Sequence, residues 1–96
     1  RIVTSPNPFN PSQEIAKLCF QTTAQATVET WIYNHRLERI KKTHQTFPAG
    51  YHDTITWNGK NEMGSLVPNG IYFLILKAQT QEKTITKKIK IAVLRQ

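Results

Sequence analysis

Apolar and polar residues alternate along most of this chain with a period of two. Ala16, Leu18 and Phe20 share one side of a segment whose other side carries Ile15, Lys17 and Cys19. Val28, Thr30 and Ile32 stand opposite Glu29, Trp31 and Tyr33. Further on, Ile85, Ile89, Ile91 and Val93 alternate against Lys88 and Lys90. Successive side chains of a strand point to opposite faces, so this is the pattern of strands with one dry face and one wet face. No segment sustains the i, i+3, i+4 spacing of an amphipathic helix, and threonine and other β-branched residues are frequent. Seven short strands are predicted, at 1–4, 14–21, 27–33 and 37–46, then one that follows the turn FPAG and ends at Trp57, one reading IYFLILKA that ends near 78, and one at 83–94. Between the fifth and sixth lies a long turn region, NGKNEMGSLVPNG, with glycines at Gly59, Gly64 and Gly70.

Short strands with turn signals at this spacing predict an all-β fold, an immunoglobulin/fibronectin-III-like antiparallel β-sandwich of about seven strands. The sixth strand is apolar on both faces. It therefore suits the middle of a sheet, flanked by the third and the seventh. At 96 residues the chain is one domain, 1–96, built on a single modest core.

Composition adds a partner class and removes several kinds of chemistry. Thirteen Lys and Arg against six Asp and Glu leave a formal charge of +7. That excess favours anionic partners: nucleic acid, acidic lipid or acidic polysaccharide. The plainer reading is that wet strand faces need polar residues, and Lys and Thr supply them. Nucleic acid is disfavoured, because there is neither a recognition helix nor an aromatic RNA-binding motif. One cysteine, Cys19, excludes an internal disulfide, and Cys and His are too few at ligand spacing for zinc. No apolar run approaches the ~20 residues of a membrane-spanning helix. The chain opens at Arg1 without a charged-then-apolar leader, and is expected to be a piece of a longer protein.

The run SPNPFNP, residues 5–11, holds three of the five prolines around two asparagines and Phe9. Each proline fixes its own φ and removes a backbone donor, so the run is expected to be stiff and extended along a sandwich edge. Phe9 is expected to turn inward as a plug over one end of the core. Together with WNGKNEMGSLVPNGIYF, residues 57–73, this run resembles a bacterial immunoglobulin-like domain family. Members occur at the C-terminal ends of secreted proteins and in the flagellar hook-capping protein. The family opens with Pro-Asn-Pro-Phe-Asn-Pro and later reads Trp-Asp-Gly-x-Asp-x-x-Gly-x-x-Val-x-x-Gly-x-Tyr. Here every glycine, the valine and the tyrosine keep that spacing, while both aspartates are replaced by Asn58 and Asn61. Asparagine serves a turn as well as aspartate but brings no charge, which argues against calcium. Where the family has a Gly-Arg turn, this chain has Leu37-Glu38. Leucine resists positive φ, so the hairpin is expected to turn with its positive φ at Asn34 or His35. The spacing between the Ala-Gly turn and Trp57 is one residue long, which predicts a bulge.

The resemblance implies a non-catalytic domain of a secreted or cell-surface bacterial protein, periplasmic or extracellular. Its expected role is type IX secretion sorting or surface attachment. Expected partners are an upstream domain of the same chain and the secretion or cell-surface machinery. Two further readings stand beside it: an accessory binding module or spacer of an extracellular enzyme, taking polysaccharide or protein, and an assembly domain like that of the hook cap. The residues themselves offer no nucleophile elbow, phosphate loop or His-Glu-x-x-His motif, and no cofactor is implied. His35, His44 and His52, in or beside turns, are read as solvated surface histidines, and Cys19 as a packing or bystander thiol. The candidate contact surface is one outer sheet face carrying Trp31, Tyr33, Phe73 and Ile75, bordered by Lys88 and Lys90. Phe9, Trp57, Gly59, Gly64, Gly70 and Tyr72 are read as fold determinants, with the Trp57 indole seeking a hydrogen-bond acceptor.

Overall fold

Strand order follows from which segments can bury one face and which must bury two. The computed structural model describes residues 3–95. Its strands are β1 (Val3–Ser5), β2 (Ala16–Thr22), β3 (Ala26–Tyr33), β4 (Arg39–Phe47), β5 (Gly50–Trp57), β6 (Gly70–Gln79) and β7 (Thr84–Val93). Residues 1–2 of the first predicted strand lie outside the described residues. One sheet runs β1-β2-β5 and the other β4-β3-β6-β7, with every neighbouring pair antiparallel. The doubly apolar β6 is central, between β3 and β7, as its composition requires. The result is an immunoglobulin/fibronectin-III-like sandwich. Its fourth strand joins the sheet of the third, sixth and seventh strands, whereas a constant-type immunoglobulin domain places it with the first, second and fifth.

The inward sides of the alternating segments make the core. Ala16, Leu18 and Phe20 of β2 meet Val28 and Ile32 of β3, Leu74 and Leu76 of β6, and Ile91 and Val93 of β7. Thr30 is the one buried polar residue among those described, and its hydroxyl bonds that of Thr43 across the β3–β4 pair. Ile85 has the parity of the core side but remains 40% exposed, near the start of β7.

The opening run closes the base of this sandwich. Phe9 is 1% exposed. Its ring lies 5.6 Å from that of Trp57, which in turn lies 5.4 Å from Tyr72. The backbone around Phe9 bridges the end of β7 in parallel, with Phe9 N–H donating to Ala92 O and Leu94 N–H donating to Phe9 O, both at 3.0 Å. The Asn7 side chain continues that pairing. It donates to Lys90 O at 2.8 Å and accepts from Ala92 N–H at 3.0 Å. Gly59 explains why the two motifs occur together. At φ +75° it adopts a conformation that disfavours side chains, and a Cβ there would stand 2.6 Å from Pro11 Cβ. The proline run and the tryptophan turn are therefore complementary halves of one packed base.

Hydrogen bonds fix the long turn region. The Trp57 indole donates to Lys60 O at 2.9 Å, and the Tyr72 hydroxyl donates to Pro68 O at 2.7 Å. The latter is the tyrosine-corner arrangement of sandwich domains. Asn58 Oδ1 accepts from Lys60 N–H, and Asn61 Oδ1 accepts from both Met63 and Ser65 N–H. Both asparagine carbonyls are thus committed to the turn backbone.

Three local expectations meet the structure differently. The bulge is present: Leu18 pairs with Ile55 and Phe20 with His52, so Asp53 and Thr54 together oppose Cys19. The hairpin expectation is overturned, because Leu37 itself takes φ 64° and is the one non-glycine residue with positive φ among those described. Asn34 is the reason. Its Oδ1 accepts from Arg36 and Glu38 N–H, its Nδ2 donates to Glu38 Oε1, and its backbone carbonyl accepts from Leu37 N–H. That network sets the turn and leaves Leu37 the left-handed position. His52 departs from the expected solvated surface histidine, being partly buried. Its ring lies 5.4 Å from Phe20 and 4.7 Å from Phe47, with Nε2 2.6 Å from Pro48 O.

Candidate contact surface

The outer face of the four-stranded sheet carries the residues that the core does not use. On β3 and β6 those are Trp31, Tyr33, Phe73 and Ile75, each half-buried. Strand register sets them in a block, with Trp31 opposite Ile75 and Tyr33 opposite Phe73. On the β7 side, Ile75 faces Lys88 and Phe73 faces Lys90. All six sequence-predicted contact residues thus lie on one face.

Sequence reasoning missed the far border. The larger sheet includes β4, where Lys42 opposes Trp31 and Arg39 opposes Tyr33. Two rows therefore cross the sheet: Lys42, Trp31, Ile75, Lys88, and then Arg39, Tyr33, Phe73, Lys90. Each has two apolar residues between two cations. Ile71, at 41% exposure, extends the apolar stripe along β6 by one more outward position. The signal for Ile71 was its parity with Phe73 and Ile75. No sequence signal located Lys42 and Arg39 until β4 was assigned to this sheet.

The cations reach over the rings. Lys42 Nζ is 5.6 Å from the Trp31 ring centroid, and Lys88 Nζ is 4.6 Å from that of Phe73. Such contacts shield apolar surface with a charged head group. Lys42 also lies 3.9 Å from Glu29, the acidic residue of the next outward position on β3. Lys77 stands opposite Glu29 on the same face, from the neighbouring strand β6. Five cations against one acid make the face strongly positive. Along its middle it is apolar.

Among the described residues, no three His, Cys, Asp or Glu side chains come together to hold a metal. Cys19 is half-exposed and free. It is the chief influence raising the Tyr51 phenol above its ordinary value, with partial desolvation and the Asp53 charge adding to it. Burial raises the Tyr72 phenol, and the Arg95 charge opposes part of that rise. No helix is long and apolar enough to cross a membrane among the described residues, which says nothing of a strand-built span.

No protein-family model matches the chain, and no curated protein matches it in sequence. Solved structures do match in shape. Dimeric latent PorU from Porphyromonas gingivalis aligns over 99% of this chain and 9% of its own, at TM-score 0.77 and 17% identity. The fold is shared. PorZ from the same bacterium, described as an essential surface component of its type IX secretion system, aligns over 98% of this chain and 11% of its own, at TM-score 0.66 and 19% identity. FlgD from Pseudomonas aeruginosa aligns over 95% of this chain and 70% of its own, at TM-score 0.69 and 17% identity. This chain spans about a tenth of the length of PorU and PorZ.

Proposed function

We propose that this domain is a non-catalytic accessory module of a larger bacterial protein, acting at the cell surface in secretion sorting or attachment. One observation carries the reading. Nearly the whole chain matches a small part of two much longer proteins, one of them described as a surface component of type IX secretion. The packed base supports it from the residues upward, since SPNPFNP and the Trp57 turn are mutually fitted rather than separate likenesses. In this reading the domain stands C-terminal to another domain of the same chain, in a secreted or surface-exposed protein, and meets the secretion machinery as a folded unit.

A reporter fused to residues 1–96 in a host with type IX secretion tests the assignment. Export of the reporter to the surface or medium, absent from a host lacking that route, is the expected result. Retention inside the cell in both hosts refutes the sorting role.

A further inference from the structure

We propose that the outer face of β4-β3-β6-β7 is a binding site for a linear anionic polysaccharide, running parallel to the strands along the stripe of Trp31, Tyr33, Phe73 and Ile75. The inference rests on the arrangement of charge around the apolar block and is independent of the sorting role.

Three features select that ligand class. The first is the double border. Lys42 and Arg39 line one flank and Lys88 and Lys90 the other, about 14 Å apart across three strand spacings of ~4.8 Å. A polyuronate presents carboxylates on alternate sides of its axis and so meets both flanks. A nucleic-acid single strand carries its phosphates on one side and its bases on the other, and so meets only one. The second is the middle of the face. Aromatic and aliphatic side chains there offer a flat surface to the C–H faces of pyranose rings. Lys42 and Lys88 now lie over two of the rings and can leave them for a carboxylate, exposing ring to sugar. The third is size. Three outward positions along a strand span about 13 Å, so the block and its borders cover roughly 200 Å², against ~800 Å² per partner in a standard protein interface. That area is small for a protein partner and adequate for a few sugar rings.

The protein is titrated with polygalacturonate while indole fluorescence is followed. Trp57 is buried, so the change reports on Trp31. Neutral dextran, poly(dT) and polyglutamate are titrated alongside. Saturable binding of polygalacturonate that weakens with added salt is expected, with none to dextran and weaker binding to the other two polyanions. The Lys42→Gln/Lys88→Gln variant should bind polygalacturonate at least about tenfold more weakly. Both lysines are exposed, so its circular dichroism and melting should match those of the parent. Absence of polygalacturonate binding at low salt overturns the proposal, as does an affinity unchanged in the lysine variant. Binding of dextran as strong as that of polygalacturonate overturns the charge requirement. Tighter binding of poly(dT) or polyglutamate transfers the face to a nucleic-acid or protein partner and overturns the polysaccharide assignment.

Discussion

Replacing Leu37 by glycine should stabilise this protein, although it removes an apolar side chain. Leu37 holds φ 64° and is 70% exposed. A residue with a Cβ in the left-handed region carries a cost of about 1–2 kcal/mol, which glycine avoids. Glycine gives back about 0.5–1 kcal/mol through the greater freedom of its unfolded chain. Little packing is lost from a side chain so open to solvent. The net expectation is a gain of roughly 0.5–1 kcal/mol, a rise in melting temperature of ~2–8 °C for a domain of this size. Urea unfolding followed by the buried Trp57 measures the free energy, and calorimetry measures the temperature. Leu37→Ala is the control. It keeps the Cβ and with it the strain, so its stability should stay within ~0.5 kcal/mol of the parent. A loss of stability in Leu37→Gly would refute the argument, and equal losses in both variants would show that Leu37 is held by side-chain contacts instead.

Two further expectations test the base of the sandwich. Phe9→Ala should cost about 3–5 kcal/mol in the same urea assay, and Gly59→Ala at least ~1–2 kcal/mol, because its Cβ meets Pro11 in a disfavoured backbone conformation. Their double mutant should lose less than the sum, since both open the same contact; strict additivity would separate the two motifs. Tyr72 gives a pH dependence. Its phenol is raised above the ordinary value of 10.0, so the fold favours the neutral form. That contribution is fully present below pH 10.0 and is lost as pH rises from there through the folded value. Tyr72→Phe should cost ~1 kcal/mol at neutral pH by leaving Pro68 O without its donor, and should flatten the alkaline decline. An identical alkaline decline in the variant would assign it to other groups.

Much of the sandwich is legible in the sequence because alternation carries the information locally. The parity of Leu18, Val28, Leu74 and Ile91 fixes which face turns inward, and the doubly apolar β6 fixes the middle of its sheet. Strand ends are less legible. The predicted second strand began at 14, but Gln13 and Glu14 both donate to Asn10 O, and this turn delays β2 to Ala16. The positive φ at Leu37 is not legible in the sequence because steric preference is a property of one residue, whereas the turn is decided by several hydrogen bonds converging on Asn34. The packing of His52 is not legible in the sequence because Phe20, one of the two rings it meets, comes from a distant strand. The contact face was half legible for a related reason. Its β7 border follows from alternation, but Lys42 and Arg39 reach it only through the sheet to which β4 belongs.

The parallel bridge between the Asn7–Phe9 segment and β7 has a mechanical consequence. Because the two segments run parallel, a pull on the N-terminal side of Asn7 and a pull on the C-terminal side of Leu94 act in opposite directions along the pair. The bonds from Phe9 to Ala92 and Leu94, and from Asn7 to Lys90 and Ala92, are then sheared together rather than peeled one after another. This contact resists a load along the pair better than one across it. That property suits a module tethered on one side and pulled from the other.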